Sequence, residues 1–276
     1  MVNKKARGFL NYFILAVVLI VGIFPAYWVI STSFKPQSEW FARPLHWTPA
    51  HPTLSNYEQA FTNPLGSKAV VNSLIAAMGG TALALLVGYP AAYSLSRYRG
   101  GRLPLFILPL ILRTSPPAVI AIPLIVFYSS VGFVDTLHGL ILIYGGTTAF
   151  YVIWMIKPFI DSIPRDVEDA AMVDGVSRWT IPFRIVMPLV GGGIAAAVIF
   201  AFILNWTEFF YALTLTRFEA RTIPVHMATI SALGAISTGQ GQAAAVSTIS
   251  LVPFLVGAYF FQRYLLRAFT YGLAGR

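Results

Sequence analysis

The stretch from Ile163 to Pro188, IPRDVEDAAMVDGVSRWTIPFRIVMP, decides how the rest of the chain is interpreted, because it is a charged segment between two long apolar ones. Five of the chain's ten carboxylates lie in it or just before it, namely Asp161, Asp166, Glu168, Asp169 and Asp174. Pro164 suits the first position of a helix, and acidic residues suit its early turns. Gly175 suits the left-handed position that ends a helix. The stretch therefore predicts a short helix with acidic flanks.

The same stretch predicts how this helix is used. Val167, Ala170 and Ala171 fall at i, i+3 and i+4, which predicts a small apolar face suited to docking into a groove on another protein. Thr180 precedes Ile181-Pro182 and is expected to begin a second helix that continues through Pro188.

The composition indicates a membrane protein rather than a soluble domain. Of the 276 residues, 57% are hydrophobic and 11% are charged, and the mean hydropathy is +0.72. Long apolar runs of this kind predict membrane spans of about 20 residues each. The net charge of +9 could indicate nucleic-acid binding, but basic residues beside membrane spans explain it better. Without cysteine or a glycine-rich Gly-Lys-Ser/Thr loop, neither disulfides nor ATP binding by that route is expected.

The apolar runs predict an all-α membrane protein with six transmembrane helices in a single domain covering residues 1–276. The spans are expected at about residues 9–30, 69–95, 103–128, 137–156, 185–213 and 243–261. Most of the lysines and arginines that flank them fall on the side of the N-terminus, so both termini are predicted to be cytoplasmic. The charged loop, about residues 161–184, then lies on the cytoplasmic side, and the polar segment 214–242 lies outside.

The charged loop resembles a motif of the membrane subunits of binding-protein-dependent ABC importers, E-A-A-x3-G-x9-I-x-L-P. Its counterparts here are Asp169-Ala170-Ala171, Gly175, Ile185 and Met187-Pro188. The longer pattern of the sugar-importing, maltose- or oligosaccharide-type branch, I-P-x-x-x-E-x-A-A-x-x-D-G-x-S, is matched by Ile163, Pro164, Glu168, Ala170, Ala171, Asp174, Gly175 and Ser177. Two positions depart from the motif, since Asp169 replaces Glu and Met187 replaces Leu. The phrases Ser33-Phe34-Lys35-Pro36 and Trp206-Thr207-Glu208-Phe209 also resemble this branch, so the resemblance covers nearly the whole chain.

The resemblance implies the type I ABC importer permease fold in a bacterial or archaeal inner membrane. It implies a second homologous permease, a dimer of ATP-binding subunits, an extracytoplasmic solute-binding protein, a sugar-like solute and surrounding lipid as partners. ATP hydrolysis is then expected in a separate subunit, with no catalytic residue, cofactor, metal or nucleic acid for this chain. The residues expected to couple it to the ATPase are Glu168, Asp169, Ala170, Ala171, Asp174, Gly175, Ser177 and Arg178.

Further candidates lie in the predicted spans and outer loops. Arg113 lies about 15 Å into the third span, where a cation is costly, and it could bind solute or brace the kink at Pro116-Pro117. Three residues late in the fifth span could line the solute path or form an interfacial belt: Asn205, Trp206 and Glu208. Three glycines could make the outer segment a mobile loop that probes the binding protein, or an ordinary connector: Gly234, Gly239 and Gly241.

Two other functions stay open at this stage. An ABC importer for a peptide, an anion, a metal or a polyamine would share the charged loop, but it should lack the two sugar-branch phrases. A membrane-embedded lipid-modifying enzyme would need clustered acids or histidines, whereas the acids outside the charged loop are dispersed and the four histidines lack metal-ligand spacing. Among sugars, an oligosaccharide, a monosaccharide, a polyol and a sugar carrying phosphate or sulfonate all remain open.

Overall fold

The structure is a computed structural model that describes residues 4–62, 64–98, 117–233 and 239–273. Its regular elements in these ranges are helices, with no β-strand among the described residues, so the prediction of an all-α chain is confirmed. The α-helices are α1 Lys4–Ser33, α2 Ser55–Thr62, α3 Pro64–Arg97, α4 Pro117–Ser130, α5 Leu137–Asp161, α6 Arg165–Val173, α7 Met187–Leu189, α8 Gly191–Trp206, α9 Phe210–Leu215, α10 Ile223–Leu233 and α11 Gly239–Leu273.

Four helical segments are long and apolar enough to cross a membrane: Asn11–Ser33, Pro64–Arg97, Leu137–Asp161 and Gly239–Phe260. They match four of the predicted spans. The predicted third span lies largely outside the described residues, and its described part is the shorter apolar helix α4. The described residues therefore support four spans, or five if the bent pair described next is one span.

The fifth span is not the continuous helix predicted for residues 185–213. A π-helical turn, Pro182–Val186, leads into α7, and the chain then bends by 82° before α8. The bend falls at Val190 (φ −94°, ψ 15°), between a proline and three successive glycines, all of which weaken helical continuity. A second break follows Trp206, so the long apolar part of this predicted span is α8 alone.

The contacts divide the chain into two compact units, Met1–Ser67 with His226–Val252, and Lys68–Val225 with Pro253–Arg276. The first unit contains a buried lysine. Lys35 is 1% exposed, its Nζ donates to the His46 carbonyl (2.6 Å), and it lies 4.1 Å from the centroid of the Trp28 ring. The carbonyl and the aromatic face together offset the cost of burying the charge.

The first unit also contains part of the segment that the sequence leaves open as a mobile loop or an ordinary connector, and the described part of it there is helical. The segment forms α10, and Gly239 and Gly241 lie in the first turn of α11. A Cβ on Gly241 would lie 2.3 Å from Asn56 Oδ1 and 2.4 Å from the Trp40 ring. This glycine therefore permits close packing rather than mobility.

The second unit has a core in which α3, α5 and α8 approach closely at small residues. A Cβ on Gly80 would lie 2.6 Å from the Cβ of Tyr144, and one on Gly193 would lie 2.6 Å from the Phe159 ring. Such close approach is how helices associate where no hydrophobic effect drives them together. Of the small residues at 191–197, Gly193, Ala196 and Ala197 are buried, whereas Gly191 and Gly192 are exposed.

Candidate functional site

The helix predicted in the charged loop is α6, and its two ends follow from local sequence. Pro164 is the N-cap, one residue before the position predicted for it. Gly175 has φ +85°, and its N–H bonds the Met172 carbonyl (3.1 Å) while the Val176 N–H bonds the Ala171 carbonyl (3.0 Å). These two bonds form a Schellman motif, which needs a left-handed residue at the position of Gly175. The predicted helix and its glycine stop are confirmed.

The exposed face of α6 differs from the predicted one. Ala171 is 8% exposed and packs into the core of its own chain, whereas Ala170 is exposed. The face turned outward at i, i+3, i+4 and i+7 consists of Asp166, Asp169, Ala170 and Val173. Two large apolar residues that the sequence pattern does not single out are each 87% exposed: Val173 on this face and Trp179 in the segment after α6.

Glu168 turns inward and binds the end of α3. Its carboxylate accepts from Arg97 Nε (2.5 Å) and from the Tyr93 hydroxyl (2.5 Å). The side chains of Arg97 and Glu168 are only 9% and 10% exposed. Glu168 is therefore engaged by its own chain rather than offered to a partner.

Further bonds tie the same end of α3 to both sides of α6. Ahead of the helix, Arg97 Nη2 donates to the Ile163 carbonyl (3.1 Å), and Ser96 Oγ donates to Asp161 Oδ1 (2.6 Å). After the helix, the Tyr89 hydroxyl donates to the Pro182 carbonyl. The spacing of residues 89, 93 and 97 by four, which places them on one helix face, is the sequence signal that could have found this contact.

A small cavity of about 180 Å³ opens beside this contact, and three predicted site residues line it: Glu168, Asp169 and Arg178. Its lining also includes Arg97, Arg165 and Met172. Asp174 and Ser177 lie at the exposed turn after α6, where the Ser177 carbonyl accepts the Thr180 N–H (2.9 Å). The structure thus brings the predicted loop residues together, with Glu168 and Ala171 inward and the others at or near the surface.

A larger cavity of about 360 Å³ lies in the second unit and is lined by Asn205 and Glu208. The Asn205 side-chain amide donates to the hydroxyls of Thr81 (3.2 Å) and Thr148 (3.5 Å), which joins α8 to α3 and α5. The rest of the lining is rich in hydroxyls and aromatic rings, with Pro117, Thr147, Thr148, Tyr151, Leu204, Thr207, Phe209, Phe210 and Tyr211. These groups offer both hydrogen bonds and ring faces to an occupant.

Trp206, a candidate for the solute path or an interfacial belt, is buried. Its side chain is 3% exposed and its ring stacks on Phe202 at a centroid distance of 5.8 Å. Asn205 and Thr207, its two neighbours in the chain, both line the cavity. Because a helix places successive residues about 100° apart, the Trp206 side chain points in a different direction, into the protein. Arg113 and Gly234 lie outside the described residues.

Three of the dispersed acids cap backbone N–H groups. Glu39 accepts from the N–H groups of residues 50 and 51 (2.9 Å each), and Glu208 accepts from those of residues 211 and 212 at the start of α9 (2.9 and 3.1 Å). Asp135 accepts from four successive N–H groups, those of residues 217–220, at 2.9–3.1 Å. These carboxylates hold local backbone geometry.

Comparison with known proteins places these sites in a family context. The sequence profile described as "Binding-protein-dependent transport system inner membrane component" matches residues 80–271. The chain is 34% identical to the sulfoquinovosyl glycerol transport system permease protein SmoH of Agrobacterium fabrum, over 95% of this chain and 92% of that protein. It is 30% identical to the trehalose transport system permease protein SugB of Mycobacterium tuberculosis, over 95% and 96% of the two chains. A crystal structure of a bacterial ABC transporter involved in the import of the acidic polysaccharide alginate contains a chain with the same fold, at a TM-score of 0.80 and 21% identity over 96% of this chain and 99% of that chain.

Proposed function

The chain belongs to the family of inner-membrane components of binding-protein-dependent transport systems, and from this premise we propose that it is the permease subunit of an ABC importer for a sugar or sugar-like solute. As a multi-pass protein of the inner membrane, it would form half of the translocation pathway. It would couple that pathway to a cytoplasmic ATPase through residues 163–188. The relatives that transport sulfoquinovosyl glycerol and trehalose support the choice of a sugar.

The observation that carries the coupling proposal is the geometry of α6. A Schellman turn fixes the end of this helix, its inner face is bonded to α3, and its outer face carries Asp169, Ala170 and Val173. A short helix braced on one side and exposed on the other is suited to a groove on a second protein. The proposed contacts to the ATPase are Asp169, Ala170, Asp174, Ser177 and Arg178, and we add Val173 and Trp179.

The cavity beside Asn205 and Glu208 is the proposed solute path. Its hydroxyl groups can bond sugar hydroxyls, and its aromatic rings can stack on the apolar faces of a sugar ring. Arg113 remains a candidate for the same path. Gly239 lies at the start of α11 and remains a candidate for contact with the binding protein, whereas the close packing of Gly241 favours a structural role.

In the complete importer we propose six spans with both termini in the cytoplasm, a second permease, two ATP-binding subunits and an extracytoplasmic binding protein. ATP binding would close the ATPase dimer, move the two α6 helices and rock the spans so that the solute cavity opens outward. Such a change is driven only by the difference in ATP affinity between the two states. ATP hydrolysis would take place in the partner subunits.

The alternatives are weaker. The fold and α6 would suit an importer for a peptide, an anion or a polyamine equally well. However, a cavity lined by hydroxyl groups and aromatic rings and the sugar-transporting relatives both favour a sugar. A lipid-modifying enzyme would need free acids near one another. Instead, Glu39, Asp135 and Glu208 each cap a different backbone segment.

The proposal is tested in two steps on the complex assembled with its partner subunits. The ligand that co-purifies with the cognate binding protein is identified by mass spectrometry, and its uptake is measured in reconstituted vesicles together with ATP hydrolysis. Asp169→Ala should weaken ATPase docking or uncouple hydrolysis from uptake, because breaking an ion pair buried in an interface costs about 3–5 kcal/mol. Asp169→Glu should be tolerated, because it keeps the charge.

Binding of the ligand by the free binding protein is the control, and both variants should leave it unchanged. A co-purified ligand that is not a sugar, sugar acid or polyol would overturn the proposed solute class. Normal uptake and normal ATPase retention in Asp169→Ala would reject α6 as the coupling element.

A further inference from the structure

The C-terminal end of α3 contacts the charged loop before, within and after α6. In its last three turns, α3 presents Tyr89, Tyr93 and Arg97 on one face, and each donates a hydrogen bond to the segment between Ile163 and Pro182. The bonds reach the loop before α6, within α6 and after it. In the other direction, the Arg165 side chain donates a hydrogen bond to the Arg97 carbonyl (2.8 Å), so the backbone of α3 also contacts the charged loop.

The centre of this contact is a buried ion pair. Arg97 and Glu168 are about nine-tenths buried, and Glu168 also accepts the Tyr93 hydroxyl bond. Two exposed ions would contribute little, but a buried carboxylate that loses its cation is left uncompensated. Any motion that pulled α6 away from α3 would create that uncompensated charge, so the two helices should move together.

The rest of α3 reaches the other sites of the second unit. Near its middle, Thr81 accepts the bond from Asn205 at the larger cavity. Near its other end, Asn72 donates to the carbonyls of Glu219 (2.8 Å) and Arg221 (3.0 Å), and Ser73 Oγ accepts the Ile223 N–H (2.8 Å). One continuous helix therefore contacts the charged loop, the cavity and the segment beyond α9.

We propose that Arg97 and Tyr93 are positioning residues that latch Glu168, and with it α6, to α3, so that α3 carries motion of the coupling helix to the solute cavity. This inference rests on the proposed function of α6. It gives Glu168 a role inside the chain, as opposed to contact with the ATPase, and it separates Glu168 from its neighbour Asp169, which stays on the docking face.

The latch can be tested without knowing the solute, because the chain has no cysteine to interfere with labelling. Spin labels are placed at Val167→Cys on α6 and Leu86→Cys on α3, both exposed and outside the latch and the proposed ATPase contacts. Their distance is measured in the full complex without nucleotide and with ATP and vanadate. The latched helices should keep one narrow distance in both states. Arg97→Ala should add a second, broad population, with the latched fraction reduced about tenfold.

A second measurement separates coupling from simple stability. The rate at which maleimide labels Thr207→Cys, an exposed residue of the cavity lining, should respond to ATP and vanadate in the latched protein. Arg97→Ala should keep its ATPase subunits and hydrolyse ATP, yet lose about nine-tenths of this response. Exchanging the charges, Arg97→Glu with Glu168→Arg, should restore part of it.

Controls and outcomes decide between the two proposals. Lys157→Ala breaks a more exposed ion pair with Asp161 nearby and should change neither measurement. Tyr93→Phe removes one hydroxyl from the latch and should give a smaller effect in the same direction, and it replaces Arg97→Ala in the test if that variant does not fold. If Arg97→Ala sheds ATPase subunits as Asp169→Ala does, or if it and Tyr93→Phe leave both measurements unchanged, the latch is rejected. If Asp169→Ala leaves docking, hydrolysis and uptake all intact, the proposed coupling function of α6 fails instead.

Discussion

At the scale of single residues, Gly175 offers a substitution that tests backbone geometry alone. A Cβ added there would meet nothing within 4 Å. However, the backbone φ is +85°, and a residue with a Cβ adopts such a positive φ only at a cost of about 1–2 kcal/mol. Gly175→Val should therefore reorient the end of α6 and reduce the ATPase that co-purifies with the permease. Gly175→Asn should be milder, because asparagine tolerates the left-handed region.

Gly191→Ala is the matched control for this prediction. Its added Cβ also meets nothing within 4 Å, but Gly191 is not among the glycines with positive φ. The control should retain normal amounts of ATPase. Equal retention in Gly175→Val and Gly191→Ala would mean that the left-handed turn does not aim α6.

The sequence predicts residues best where the reason for them is local. Pro164 and Gly175 were placed correctly to within one position, because a helix start and stop depend on neighbouring backbone groups. The sequence leaves Gly241 open between a mobile loop and an ordinary connector, because the aromatic ring it packs against belongs to Trp40, 201 positions earlier in the chain. The sequence likewise leaves Trp206 open between the solute path and an interfacial belt, since its neighbour Phe202 does not reveal which side of α8 is buried.

At the scale of elements, hydropathy located the long apolar helices but could not orient α6. Ala170 and Ala171 are chemically identical neighbours, and only the position of α3 decides that Ala171 is buried and Ala170 exposed. Hydropathy also does not reveal the break within the predicted fifth span. Its composition is apolar throughout, whereas the 82° bend depends on the backbone at Val190.

The loop between α4 and α5 is held to the segment after α9 by one carboxylate, which gives an element-level prediction. Burial raises the pKa of Asp135, but bonds from the N–H groups of residues 217–220 outweigh burial and leave this pKa below its usual value. A lowered folded pKa means that stabilisation is complete above the unfolded pKa, about 3.9, and is lost as the pH falls through the folded value. The contact should therefore be intact at neutral and mildly acidic pH.

Asp135→Asn should remove the negative charge while keeping a residue that tolerates the observed φ of +57°. Backbone amides 217–220 should then exchange hydrogen about tenfold faster or more at pH 7, because bonds to a charged acceptor contribute about 1.5–3 kcal/mol. Glu58→Gln, at an exposed acid of α2, should leave their exchange unchanged. Unchanged exchange in Asp135→Asn would show that the segment is held by its other contacts.

At the scale of the whole molecule, a membrane environment explains the large exposed apolar surface of the chain. The apolar window of α1 has no buried residue, and its side chains include many large aliphatic and aromatic groups more than 40% exposed. A soluble protein rarely exposes so large a contiguous apolar surface, whereas lipid or another apolar helix covers it at no cost. The low content of charged residues and the membrane family of the chain agree with this environment.

The distribution of basic residues gives the last prediction, which concerns topology. Lysines and arginines near the N-terminus, after α3, around α6 and near the C-terminus outnumber those in the segments between, so both termini and α6 should lie in the cytoplasm. Because the chain has no cysteine, Arg7→Cys and Arg276→Cys each provide a single thiol. A membrane-impermeant maleimide should label these thiols only after the membrane is opened, whereas His51→Cys, an exposed position in the first predicted outer loop, should react in intact cells. Labelling of either terminus in intact cells would show that the predicted membrane orientation is inverted. It would then place α6 on the outer side, where no ATP is available.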